Sequence, residues 1–333
     1  MNNKKIIYRN NIQKKHLDLT FSKRFNKRYP NVLKDIFANL DTRKDTFHSL
    51  SKNFKLNFKI KDLDKFKKFK TIVIIGMGGS ILGSEALYYF LKKKIKKDFI
   101  FFNNIDDDKL KRLKSSVDLK KALFIVVSKS GSTIETLSNF FAFNIIKKKS
   151  KNIIIISEKL NNPLYLLSQK MKLHYIEHRT YIGGRFSVLS EVGLVPAYLM
   201  GININRLREN ILSHFKTNNK NFLKDSSIKL ANLLKGNIIK NLIFCNYAPK
   251  LEKFLYWNQQ LIAESLGKQG KGFLPIVSTV PKDHHSLVQL YLDGPKDKIF
   301  YVFSEKARTD KKIKIKKKIS KKINFLHNKN LNQ

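Results

Sequence analysis

The sequence predicts an α/β protein: a doubly wound parallel sheet followed by a second, smaller α/β unit. Three observations predict it. Several short, continuous apolar runs of about five residues, such as Ala122–Val127, have the composition of parallel strands covered on both faces. These runs alternate with helix-period segments, the order that winds a parallel sheet. Glycine- and serine-rich turns follow two of the runs directly, at 76–80 and 128–133, where a strand passes into a helix.

Taken in order, residues 1–50 are polar and basic and read as an N-terminal arm with one or two helices. The first unit spans 51–220. Within it, strands are expected at 71–76, 98–102, 122–127 and 152–156, and helices at 81–91, 133–148, 164–170 and 187–200. A second unit over 221–304 is expected to carry strands at 242–245 and 298–303. Its helices fall at 251–265, ended by Gly267, and at about 284–292. Residues 305–333 are dense in lysine with isolated isoleucines and read as a disordered basic tail. The two units show no internal sequence repeat.

The 333 residues carry a formal charge of +42, which raises nucleic acid or an anionic membrane as partners. The lysines, however, are spread along the whole chain beside many Asn and Ile residues, as codon bias in an A/T-rich genome would give. No zinc-finger spacing, helix-turn-helix signature or RNA-binding aromatic motif accompanies them. No nucleic-acid partner is therefore expected. A single cysteine, Cys245, excludes an intramolecular disulfide and fits a reducing compartment. No apolar run reaches the ~18–20 residues of a membrane span, and the N-terminus lacks a signal-peptide core, so a cytoplasmic protein with no membrane partner is expected.

Five segments carry candidate chemistry. Gly76-Met77-Gly78-Gly79-Ser80 places open backbone and a hydroxyl at a helix start, which suits an anion as well as it suits a plain tight turn. Ser128-Lys129-Ser130-Gly131-Ser132-Thr133 supplies several hydroxyls and one cation, the donors a phosphate cradle needs. Ligands of such sheets collect at the carboxyl ends of strands. Neither loop has the pattern of a nucleoside triphosphate site. Glu135 follows in the next helix, where a carboxylate can serve either the helix dipole or a site. Arg185, in Gly183-Gly184-Arg185-Phe186-Ser187, is either a surface turn residue or a guanidinium that stabilises a developing oxyanion. Near the end of the 251–265 helix, Glu264 sits where a carboxylate opposes the dipole, with Gln260 one turn earlier on the same face. Asp283-His284-His285 opens a further helix; adjacent histidines diverge and make a poor metal pair, whereas one of them could be a general acid or base.

In order and wording, Gly-Met-Gly-Gly-Ser at 76–80, Ser-Lys-Ser-Gly-Ser-Thr-Ile-Glu-Thr at 128–136, Gly-Gly-Arg-Phe-Ser-Val-Leu-Ser-Glu-Val-Gly-Leu at 183–194 and Glu-Ser-Leu-Gly-Lys at 264–268 resemble the glucose-6-phosphate isomerase family over roughly residues 50–303. The resemblance implies two sugar-isomerase (SIS) domains and interconversion of glucose 6-phosphate and fructose 6-phosphate through a cis-enediolate. By position, it implies that Gly79, Ser80, Ser128, Lys129, Ser130 and Thr133 hold the phosphate, and that Gln260 and Glu135 line the sugar pocket. Glu264 would carry the proton from C2 to C1, Arg185 would stabilise the enediolate, and His285 would assist ring opening. It also implies a homodimer with shared active sites, His285 coming from the neighbouring subunit, and neither metal nor organic cofactor.

The sequence departs from that pattern after Phe303. The family's Gln-Pro-Gly-Val-Glu-like segment and the lysine beyond it have no counterpart, so the second domain is expected to be incomplete and no lysine takes that role. This departure leaves two rival expectations: a non-catalytic sugar-phosphate-binding protein, or an inactive truncated isomerase. Nucleic-acid association through the basic tail is a further, weaker reading.

Overall fold

Isoleucine, valine and phenylalanine dominate the strands, and their alternation sorts them onto two buried faces. The computed structural model describes residues 7–209, 211–216, 219–305, 312–315 and 321–329. After helix α1 (Leu19–Asn39) and the short α2 (Ile60–Asp64), strands β1 (Thr71–Ile75), β2 (Asp98–Phe102), β3 (Ala122–Val127), β4 (Ile153–Ser157) and β5 (His174–Glu177) form one sheet. Its order is β2-β1-β3-β4-β5 and every pairing is parallel. The connecting helices are α3 (Leu82–Leu91), α4 (Asp107–Ser116), α5 (Ile134–Ala142) and α6 (Pro163–Met171), with α7 (Glu191–Leu199) after β5.

Alternation decides which helices cover which face. Ile72, Ile74, Leu123, Ile125, Ile154 and Ile156 pack against Tyr88 of α3 and Val192, Val195 and Leu199 of α7. Their neighbours Val73, Ile75, Phe124, Val126, Ile153 and Ile155 pack against Leu110 and Leu113 of α4, Phe140 of α5 and Leu164 of α6. All six residues of β3 are buried, as a central strand covered on both sides must be. The doubly wound expectation is thus met, and the chain reverses winding direction between adjacent strands β1 and β3. In such sheets this switch point is where a crevice opens beyond the carboxyl ends of the strands.

A second sheet follows helices α8 (Ile204–Arg208), α9 (Ser213–Lys216) and α10 (Asn219–Gly236). It consists of β6 (Asn241–Asn246), β7 (Leu274–Thr279) and β8 (Lys298–Phe303), in the parallel order β7-β6-β8. Leu242 and Phe244 bury one face against Leu233 of α10 and Leu255 of α11 (Glu252–Leu266), while Ile243 and Cys245 meet Tyr291 of α12 (His284–Asp293). That second face is thinly covered: Val302 of β8 is 65% exposed and Leu292 of α12 67%. Among the described residues, no helix is long and apolar enough to cross a membrane.

Several boundaries differ from the sequence reading. The helix expected over 133–148 ends at Ala142, and Asn144 turns into the left-handed region. The helix expected over 187–200 is instead a 3-10 turn, Gly184–Leu189, and then α7; Gly193 packs so tightly on Val188 that an added Cβ would lie 2.1 Å from its carbonyl oxygen. Strands β5 and β7 and helix α4 were not expected. Of the basic tail, a 3-10 turn at Lys321–Leu326 and a hydrogen bond from the Ile313 amide to the Lys329 carbonyl are described, while residues 306–311, 316–320 and 330–333 lie outside the described residues.

Candidate active site

Two loops leave the switch point side by side. The first, Gly76–Ser80, abuts β3: a Cβ at Gly76 would come within 2.9 Å of the Val127 carbonyl oxygen. Gly78 has φ of +51°, so a residue without a side chain suits this turn. Ser80 ends a 3-10 turn just before α3, and its hydroxyl has no hydrogen-bond partner among the described residues.

The second loop, 128–133, is wired internally. Buried Ser128 shares a 2.9 Å hydrogen bond with the Thr133 hydroxyl and accepts one from the Gly131 amide at 3.1 Å. Ser130 Oγ accepts from both the amide and hydroxyl of Ser132. Thr133 caps α5 without a side-chain hydrogen bond to its amides, so the first turn of α5 keeps free N–H groups. Lys129 turns away along the rim, donating to the Thr180 carbonyl at 2.7 Å, with Glu158 at 3.6 Å. Glu135 is exposed in the first turn of α5.

Arg185 joins this first unit to the second. Its Nε donates to Ser265 Oγ at 2.9 Å and its Nη1 to Glu264 Oε1 at 2.7 Å. The planar guanidinium fork can satisfy both acceptors at once, and its charge lies at the carboxyl end of α11, where cations are favoured. Glu264 Oε2 accepts from Gln260 Nε2 at 3.1 Å, one turn earlier on the helix. Its side chain stays 52% exposed, against 18% for Arg185, so the carboxylate keeps lone pairs open toward solvent.

The turn bearing Arg185 is seated on the first loop. A Cβ at Gly79 would fall 2.2 Å from the Gly184 carbonyl carbon, and one at Gly78 would fall 2.8 Å from Gln260 Nε2. Ser187 Oγ donates to the Gly79 carbonyl at 3.2 Å and Trp257 Nε1 to the Arg185 carbonyl at 3.3 Å. Through Lys129 and Thr180, the second loop is tied to the segment that enters the same turn. Direct contacts join Gly79, Arg185, Gln260 and Glu264, and the 128–133 loop reaches this group through the Lys129–Thr180 hydrogen bond.

His285 lies outside this hydrogen-bond network. It is exposed at the start of α12, and no side-chain hydrogen bond joins it to the Arg185–Glu264 pair. Asp283, ahead of it, does not cap α12 with its side chain; instead it accepts from the Ser278 hydroxyl and the Thr279 amide at the end of β7. Ser265 and Trp257 were not singled out from the sequence, although Ser265 is adjacent to Glu264 and Trp257 is one turn before Gln260. Among the described residues, no group of three or more His, Cys, Asp or Glu side chains is arranged to hold a metal.

A sequence model of the phosphoglucose isomerase family matches residues 15–273. The chain belongs to the phosphoglucose isomerase family. A glucose-6-phosphate isomerase of Methanocaldococcus jannaschii is 35% identical over 265 residues, 76% of this chain and 65% of the relative. A probable glucose-6-phosphate isomerase of Methanococcus maripaludis is 34% identical over 292 residues, 83% of this chain and 64% of the relative. The chain thus spans slightly under two thirds of the length of these phosphoglucose isomerases. Among solved structures, a hypothetical protein from Thermus thermophilus superposes with a TM-score of 0.74 at 25% identity, over 93% of this chain and 79% of that one. A glucose-6-phosphate isomerase from Chlamydia trachomatis shares the fold with a TM-score of 0.54 at 24% identity, over 71% of this chain and 50% of that one.

Proposed function

We propose that this chain interconverts glucose 6-phosphate and fructose 6-phosphate. The contact between Glu264 and Arg185 carries the reading: a carboxylate and a guanidinium meet at 2.7 Å beside two glycine- and serine-rich loops. A proton transfer between adjacent carbons needs one base, one group for the negative charge that develops, and a grip on a remote part of the substrate. Each has a candidate here.

In this proposal the phosphate sits at the switch point. The Gly79 region, the Ser80 hydroxyl, and the Ser128, Ser130 and Thr133 hydroxyls hold it, with the amides at the start of α5 adding their partial charge. Lys129 contributes positive charge while its ammonium stays anchored on Thr180. Binding energy from this end orients the sugar, and positioning of this kind can lower a barrier by roughly 7–11 kcal/mol.

The open-chain sugar then lies over Glu264. Its carboxylate takes the C2 proton, acidified by the neighbouring carbonyl, and returns it to C1. The intermediate cis-enediolate carries the charge that Arg185 faces. One base serves both carbons while the hydroxyl proton passes from O2 to O1 across the enediolate, and a positioned base supplies ~10²–10⁴-fold in rate. Gln260 and Glu135 line the sugar's path. His285 assists ring opening from the neighbouring subunit of a homodimer, which accords with its exposure on its own chain.

The experiment is turnover of fructose 6-phosphate by the purified chain, read through a glucose 6-phosphate-specific coupling enzyme. Turnover that Glu264→Gln abolishes is the expected result. Binding of fructose 6-phosphate without turnover, indifferent to Glu264→Gln, would replace the isomerase with a sugar-phosphate-binding protein.

A further inference from the structure

One face of α11 makes most of that helix's polar contacts with the first unit. Lys253, Trp257, Gln260 and Glu264 recur at intervals of four, three and four residues, the spacing of one helical stripe. Trp257 hydrogen-bonds the Arg185 carbonyl, Gln260 packs on Gly78, and Glu264 pairs with Arg185. The fourth member, Lys253, stands three turns before Glu264 along the helix and meets Glu85 of α3 at 3.3 Å.

Glu85 is 4% exposed, and its other oxygen accepts from Asn103 Nδ2 at 3.1 Å, just beyond β2. Burial alone would push Lys253 down, but the charge of Glu85 and its hydrogen bond outweigh this and hold the ammonium above its ordinary value. Tyr89 and Tyr256 flank that ammonium at 5.7 and 5.5 Å from their ring centroids. A buried carboxylate retained on an otherwise apolar helix face is costly unless it is paired. The pair gives the contact between α3 and α11 a fixed point that apolar packing, which tolerates sliding, does not.

We propose that Glu85 and Lys253 are positioning residues that set the axial register of α11 on α3. Helix α3 begins directly after the Gly76–Ser80 loop, and α11 carries Glu264. The pair therefore fixes the distance between the phosphate grip and the base. This inference rests on the isomerase reading for its catalytic consequence, but not for its structural one.

The test uses Lys253→Met, which keeps the aliphatic stem, and Glu85→Gln, each in the full chain and checked for a folded circular dichroism spectrum. Trp257 is the only tryptophan in the sequence and lies on the same stripe, so its fluorescence reports the seating of α11 without reference to activity. The expected result is red-shifted, more acrylamide-quenchable Trp257 emission. With it should come a loss of kcat approaching ~10²-fold, the scale of an ångström-sized misplacement. Affinity for glucitol 6-phosphate, an open-chain analogue without a carbonyl, should stay within about threefold, on the view that uniform binding is untouched. Folded variants with unchanged Trp257 emission and unchanged kcat would overturn the proposal. A Trp257 shift in a protein whose parent shows no turnover would leave the register device standing and remove the isomerase reading instead.

Discussion

Gly79 and Gly184 lie in backbone contact although 105 positions separate them, and a single methyl group on Gly79 would overlap the Gly184 carbonyl carbon at 2.2 Å and the Arg185 amide nitrogen at 2.4 Å. The 76–80 loop and the turn presenting the Arg185 guanidinium are thus packed backbone against backbone. Gly79→Ala has no flexible side chain to displace. It is expected to destabilise the fold by about 1–3 kcal/mol, as overpacking does, and to lower isomerase activity beyond what the folded fraction explains. Urea unfolding alongside specific activity checks both parts.

Arg185 uses two nitrogens on two acceptors, Ser265 and Glu264. A lysine supplies charge but no planar fork, so Arg185→Lys should keep substrate affinity and lose kcat. The expected loss is about 10²-fold, comparable to removal of one oxyanion donor. Steady-state kinetics with fructose 6-phosphate decide it; an unchanged kcat would remove Arg185 from charge stabilisation.

If His285 serves the partner's Glu264 site, two inactive variants should complement. Mixing Glu264→Gln with His285→Ala subunits by unfolding and refolding leaves each heterodimer one intact site. Activity should recover to about a quarter of the unmodified protein's, half of the dimers being mixed and half of their sites whole. No recovery from a demonstrably mixed dimer would place His285 in its own chain's site or outside the chemistry.

Acid should weaken the fold at the opposite end of the first sheet. Burial of the His174 ring, helped by the Lys65 ammonium and opposed by Asp62, pushes His174 down to about 4 from 6.5. The unfolded chain then binds a proton that the native state does not between those values. The contribution is intact above about pH 6.5 and is lost as pH falls toward 4. Full linkage for such a shift is about 3 kcal/mol, and solvent at the partly exposed ring reduces the expectation to about 1–2 kcal/mol. Urea unfolding of His174→Gln between pH 7 and 4.5 should show a loss smaller by that amount.

The buried strands β1, β3 and β4 were legible because a strand covered on both faces reads as an unbroken apolar run. Strand β5 was not: it is a four-residue edge in which only Ile176 is buried. Strand β7 was hidden by Pro275, which argues against a strand until the strand proves to be an edge. Helix α4 buries just Leu110 and Leu113, too few to show a period. In the site, Arg185, Glu264 and the two loops stood out by motif. Lys253 and Glu85 could not, because an isolated Lys and Glu in a chain of 28% charged residues signify nothing until a helix contact brings them together.

The stripe on α11 also limits how this segment can vary over time. Each added residue turns the remainder of a helix by about 100°, so an insertion or deletion of one codon between 253 and 260 would swing Gln260 and Glu264 off the Gly78–Arg185 surface while leaving Lys253 in place. The outer side of the helix is free to change its letters, but the count of residues along it is not.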